Sequence, residues 1–263
     1  MNVILLGFLG SFFAGATTGV GAAGIGLVRK LSSRTQDIML SSAAGIMLAA
    51  SIFSLLLPGV DFAQRQGNPP YLAVLIVIIA MLLGAALLAL IHQYTPHEHF
   101  MKGLEGKPLD MAVDSRTFHR IWLFVFAITL HNFPEGMAVG VGFANGDLAN
   151  GIPLAVGIGL QNIPEGLAVA VSLYAVGYSR LFAFSIALLT GLLEPVGGLF
   201  GSALVAVAVP MLPWILGAAA GAMLFIISDE IIPETHRDGH EGAATFALLG
   251  GFGLMMFLDT WLG

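Results

Sequence analysis

A chain of 263 residues that is 57% hydrophobic and 10% charged, with a mean hydropathy of +0.90, is too apolar for a soluble globular domain and reads as an integral membrane protein. The absence of cysteine excludes disulfides, thiolate metal sites, haem attachment and cysteine nucleophiles, so any metal must be held by His, carboxylate, amide or Met. A net charge of −6, with no basic patch interleaved with aromatics, argues against nucleic acid as a partner and for small cations.

A hydrocarbon core of about 30 Å takes about 20 helical residues. Charge-free stretches at 1–28, 38–60, 66–91, 195–228 and 242–258 reach that length, and three further spans each carry one Glu. The pattern predicts one all-α transmembrane domain over 1–263, with eight helices at 2–28, 37–58, 70–92, 118–144, 149–175, 180–208, 211–232 and 243–262. The first lacks the positive flank of a signal peptide and reads as a retained span. It is also dense in glycine, from Gly7 to Gly26, and small residues let helices approach closely in lipid. No strand or Lys-Ser/Thr accompanies its Gly-x-Gly spacings, which argues against a nucleotide site. Turns carrying Pro, Gly, Asn or charge separate the helices, and 93–117 is the longest connection.

Loops after the first, third, fifth and seventh helices hold nine of the ten basic residues: Arg29, Lys30, Arg34, Lys102, Lys107, Arg116, Arg120, Arg180 and Arg237. Only Arg65 falls on the other side. The positive-inside rule therefore places these loops in the cytoplasm and both termini outside it.

Two copies of a polar hexapeptide interrupt the apolar fourth and fifth helices: His131-Asn132-Phe133-Pro134-Glu135-Gly136 and, thirty residues on, Gln161-Asn162-Ile163-Pro164-Glu165-Gly166. The match extends into the flanks, ITLHNFPEGMAVGV against IGLQNIPEGLAVAV, so it is a local repeat. Residues 131 and 161 are equidistant from Gly146 in the intervening turn, which brings antiparallel copies to one depth, roughly 18 Å from the turn at 1.5 Å per residue. That is close to the bilayer midplane. Within each copy the first residue and the Glu lie four apart on one helix face, a two-ligand clamp. Pro134 and Pro164 are expected to kink the helices and free the carbonyls of Leu130 and Leu160, while Gly136 and Gly166 make room for a neighbouring backbone. Ionisable groups at this depth mark ion or proton sites, and transporters build such sites from interrupted helices.

Glu194, mid-span in the sixth helix and again followed by proline, supplies a third carboxylate. Three carboxylates and one imidazole match the charge of one or two divalent cations, with Glu135 and Glu165 able to bridge. Metal ligation requires ionised carboxylates, so cation entry should release protons. The bland alternative, that these groups are interhelical hydrogen-bonding glue, fits a single Asn or Gln better than the whole constellation.

On these residues the chain resembles the ZIP (Zrt/Irt-like) divalent metal transporters, and within them the bacterial GufA-like branch. The resemblance spans the chain. It rests on HNFPEG, QNIPEG, GLLEP in the sixth helix, AAGIMLAASIFSLL in the second and SDEIIPETH at the end of the seventh. It implies eight helices with external termini. It also implies a primary metal site of His131, Glu135, Gln161 and Glu165, approached by Met47, which chemistry alone would assign to packing. Asn132, Asn162 and Glu194, with bridging Glu135 and Glu165, would form an adjacent second position. Gln161 stands where many relatives have His, and Asn162 where GufA-like members can have Asp.

Weaker cytoplasmic metal candidates are His97 and His99, beside Glu98 in the long loop, and Asp229 and Glu230, with Glu234, His236 and His240 nearby; solvated charge is their plainer reading. Asp37 and Asp259 read as capping or interfacial residues. The expected function is secondary transport of Zn²⁺, with Cd²⁺, Fe²⁺ or Mn²⁺ as further cargo, into the cytoplasm by alternating access, at a plasma membrane of the bacterial inner-membrane type. Metal is expected as substrate, with no cofactor; lipid is the surrounding partner, and a homodimer is left open. The alternatives are a passive divalent-cation channel, a metal sensor, and an intramembrane metalloenzyme, the last opposed by the absence of HExxH.

Overall fold

Four helices begin where a short polar side chain satisfies a backbone N–H that has no helical partner. Asn2 accepts from Ile4, Ser32 from Thr35, Asp147 from Asn150 and Ser179 from Phe182. The computed structural model describes residues 2–28, 32–94, 115–143, 146–207, 209–236 and 239–262. Among these residues all regular structure is helical: α1 (Val3–Ala23), α2 (Ser33–Arg65), α3 (Pro70–Tyr94), α4 (Ser115–Gly142), α5 (Leu148–Ala175), α6 (Arg180–Ala206), α7 (Leu212–Thr235) and α8 (Glu241–Leu262). Seven of them are long and apolar enough to cross a membrane; α4, which carries Arg116, Arg120 and Glu135, is not among the seven. Broad apolar faces remain exposed, including Leu82, Leu83 and Leu87 on α3 and Phe246, Phe257 and Trp261 on α8. Surfaces of that kind suit lipid and not water.

The helices pack as two groups. In one, α1 lies against α5 and α6, and α4 lies against α6; in the other, α2 pairs with α8 and α3 with α7. The groups meet where α5 packs on α2 and α8, and where α4 packs on α7. Glycine permits the closest of these approaches. A Cβ on Gly45 of α2 would strike the Leu248 carbonyl of α8, and one on Gly221 of α7 the Met81 carbonyl of α3.

Proline governs the irregularities. Pro58 cannot donate to the carbonyl of Ser54, and the helix widens into a π-turn over Ser51–Leu56. Asn150 of α5 donates its side-chain nitrogen to that carbonyl at 3.3 Å. A second π-turn, Ile227–Ile231, precedes Pro233 in the same way. In α6 the helix is interrupted at Leu192, three residues before Pro195. By contrast α4 and α5 remain helical through Pro134, Pro153 and Pro164.

Two sequence expectations change here. The second helix starts at Ser33 and not at 37, because Ser32 caps it. Asp37 therefore sits within the first turns of α2; it is buried and pairs with His240 Nδ1 at 3.0 Å. Asp259 on α8 accepts from Ser54 Oγ at 2.9 Å.

Candidate metal centre

Each polar repeat is positioned by backbone contact with a helix distant in sequence. A Cβ added to Gly136 of α4 would meet the Glu194 carbonyl of α6, and one on Gly197 would meet the Phe133 carbonyl in return. In α5 a Cβ on Gly166 would meet the Thr18 carbonyl of α1, while one on Gly21 of α1 would meet the Ile163 carbonyl. The α4 copy is thus pressed on the Glu194 turn and the α5 copy on α1. The room that Gly136 and Gly166 make is taken by neighbouring main chain.

This packing buries the polar residues almost completely. Glu135, Gln161, Asn162 and Glu194 are 0% exposed, Asn132 1% and Glu165 2%. Gln161 Nε2 donates to Glu135 Oε1 at 2.7 Å, joining α5 to α4. Asn162 Nδ2 donates to Glu194 Oε1 at 2.6 Å and to the Ala14 carbonyl at 2.8 Å, joining α5 to α6 and α1. Gln161 and Asn162 are neighbours on α5, and Glu165 lies one turn further along the same helix. The three carboxylates therefore share one region.

Six oxygens of this cluster find no hydrogen-bond partner among the described residues: Asn132 Oδ1, Glu135 Oε2, Gln161 Oε1, Asn162 Oδ1, Glu165 Oε2 and Glu194 Oε2. Buried acceptors left open at such density call for a cation or proton donors. Among the described residues no three His, Cys, Asp or Glu side chains converge tightly enough to hold a metal on their own. Amide oxygens would have to complete any coordination shell formed here. The backbone of His131 lies in α4, one turn before Glu135; its side chain lies outside the described set. Met47 is fully buried in the main apolar core, which also holds Ala138 of α4 and Ala168 of α5.

The weaker candidates are dispersed. His97 and His99 lie outside the described residues, as does the Glu230 side chain. Asp229 is exposed on the π-turn of α7. His236 is engaged through Nδ1 with Thr235 Oγ1 and the Ile232 carbonyl, and through Nε2 with Thr245 Oγ1. His240 meets Asp37.

Beyond the glycines that announce close packing, residue type carries no sign of what α1 contributes to the site. The Ala14 carbonyl accepts from Asn162 and from Thr17 Oγ1, and Thr17 Oγ1 also lies 2.6 Å from the Gly159 carbonyl of α5. Thr18 Oγ1, buried beside Gly191, is without a partner among the described residues. A main-chain acceptor leaves no mark in residue type, and a threonine in a glycine-rich helix looks like packing.

Residues 93–259 match the family model described as ZIP zinc transporter. The chain is 48% identical over 255 residues to the zinc transporter ZIPB of Bordetella bronchiseptica, covering 97% of this chain and 81% of the relative. It is 44% identical over 257 residues to the zinc transporter GufA of Myxococcus xanthus, covering 98% and 99%. It is 33% identical over 330 aligned positions to human zinc transporter ZIP11, covering 97% and 96%. Matches of this extent, on a chain with seven helices suited to crossing a membrane, make the protein a multi-pass membrane member of the ZIP zinc transporter family.

Proposed function

We propose that this chain is a secondary carrier that moves Zn²⁺ into the cytoplasm by alternating access around the buried carboxylate cluster. The observation that carries the reading is the set of six open oxygens on side chains no more than 2% exposed, gathered from three helices. In this reading α4 is the eighth span, both termini are extracytoplasmic, and the membrane is a bacterial inner membrane. Glu135, Glu165, Gln161 and His131 form the primary site, with Met47 as a thioether ligand; Asn132, Asn162 and Glu194 flank it. Bending at Pro134 and Pro164 lets α4 and α5 admit the ion from alternate sides. The seam where α4 and α5 meet α2, α7 and α8 is the surface along which the two helix groups move.

Imidazole, thioether and carboxylate together suit Zn²⁺ or Cd²⁺, with Fe²⁺ and Mn²⁺ as weaker cargo, and disfavour Mg²⁺. Uptake of Zn²⁺ into liposomes holding the protein, read with an entrapped chelating dye, should be inhibited by equimolar Cd²⁺ and insensitive to an excess of about hundredfold Mg²⁺. Inhibition by Mg²⁺ as strong as that by Cd²⁺ would contradict the donor set.

Protons and cations compete for the same carboxylate oxygens, so binding should strengthen as pH rises and weaken as it falls. Zn²⁺ added to weakly buffered protein should release protons, and its affinity should increase by up to about tenfold per pH unit for each proton displaced. Calorimetry in two buffers of different ionisation enthalpy measures the release; a count of zero would show that no protonated group gives way to the ion.

A further inference from the structure

Asn150, in the first turn of α5, is tied to two main-chain carbonyls. Its Nδ2 donates to the Ser54 carbonyl of α2 at 3.3 Å and to the Gly142 carbonyl that ends α4 at 3.4 Å. Both acceptors lack an ordinary helical donor: Pro58 brings no N–H to Ser54, and the last carbonyls of a helix have no following turn. A carbonyl can only accept, so the two contacts fix which end of the amide is nitrogen. The side chain is free for this role because the cap of α5 uses the Asn150 main-chain N–H, which donates to Asp147 Oδ1.

The bond to Ser54 crosses between the two helix groups. Gln161 to Glu135 and Asn162 to Glu194 run within the group of α1, α4, α5 and α6, whereas Asp37 to His240 and Ser54 Oγ to Asp259 run within the other. Further along α5 the seam is apolar: a Cβ on Gly157 would meet Met255 of α8 and Ile46 of α2. Apolar contact has no direction and lets surfaces slide, but a hydrogen bond to one carbonyl holds one register. Ser54 suits the fixed side, since its hydroxyl is braced on Asp259 within its own group. Asn150 in turn stands beside the turn joining α4 and α5, roughly 16 Å from Gln161 along the helix at 1.5 Å per residue.

We propose that Asn150 is the latch that keeps the extracytoplasmic end of the seam closed. It fastens the α4–α5 hairpin, which carries both polar hexapeptides, to the π-turn of α2, and release of the Ser54 carbonyl is a step in opening the site to that side. The proposal rests on the carrier reading above and on the orientation that puts the α4–α5 turn outside the cytoplasm. Both contacts are longer than the usual distance of about 2.9–3.0 Å, which suits a bond broken in every cycle.

The chain has no cysteine, so one introduced thiol reports one position. Ala50 lies one turn inward of Ser54 on α2 and is 0% exposed, in the core that also holds Leu154 and Ile158 of α5. In Ala50→Cys protein, the rate of modification by a membrane-impermeant thiol reagent on the extracytoplasmic side measures how often that end opens. Asn150→Ala should raise this rate about two- to tenfold, the range that one intramolecular hydrogen bond commands. Asn150→Asp keeps the size but has no N–H to give, so it should raise the rate too, and it serves should Asn150→Ala fail to fold. Ala44→Cys, equally buried and nearer the cytoplasmic end of α2, should react no faster in either variant with reagent on the cytoplasmic side. An unchanged rate at Ala50→Cys would overturn the latch, as would a rise at both positions, which would show general loosening. No modification of Ala50→Cys in any variant would mean that this end of the seam never opens, and would overturn the carrier reading as well.

Discussion

Replacing Glu135 and Glu165 together by Ala should reduce Zn²⁺ uptake to the level of empty liposomes, while each single replacement should lower it at least about tenfold. Loss of a group that merely supports a metal ligand already costs about 10–100-fold in affinity or activity, and in this account these two carboxylates touch the ion directly. Their burial makes the loss hard to compensate: both are at most 2% exposed, so water cannot freely take the place of the missing oxygens. The double variant also deprives Gln161 Nε2 of the Glu135 acceptor, so the control is Glu135→Gln with Glu165→Gln, which keeps volume and hydrogen-bonding capacity but removes charge. Uptake should be abolished in both pairs. Retention in the Gln pair would make charge dispensable and point to hydrogen bonding alone.

The second large effect should come from glycine. Gly136→Val and Gly166→Val each drive a side chain into a carbonyl oxygen of a neighbouring helix, that of Glu194 and that of Thr18 respectively. No rotamer relieves a clash between Cβ and main chain, so the helices must part. Overpacking of this kind costs about 1–3 kcal/mol or more, enough to lower the melting temperature in detergent by several degrees and to displace the carboxylates carried on the same turns. Gly253→Val is the matched control, because a Cβ there meets nothing within 4 Å. Equal thermal stability of all three variants would show that the close approaches at Gly136 and Gly166 are not needed.

The fold was legible where periodicity and punctuation agree. Ser179, Asp147 and the glycines of the turns, such as Gly146 at φ +78° and Gly177 at φ +97°, bound helices whose apolar length a bilayer dictates. α2 begins earlier than the apolar pattern suggests, because Ser32 caps it and Asp37 turns inward to His240. The ladder widens before Pro58 and Pro233 and breaks before Pro195, while α4 and α5 stay helical through Pro134 and Pro164.

At the centre, the paired PEG motifs and Glu194 were visible because charge in an apolar helix is conspicuous. Hydrogen bonds join Gln161 to Glu135 and Asn162 to Glu194, and Glu165 lies one turn further along α5. What could not be read is the share of α1. Its carbonyl at Ala14 orients Asn162, and its glycines at 15 and 21 admit main chain from α6 and α5. The glycines announce a close approach, but residue type does not say which carbonyl meets which side chain. The pairing of His240 with Asp37, over 200 positions apart, was hidden for the same reason.

The most direct test is the initial rate of Zn²⁺ entry into liposomes carrying the purified chain, measured against external Zn²⁺ concentration. A carrier that must occupy one buried site per cycle predicts a rate that saturates; a rate that rises linearly without limit would contradict it and identify a channel.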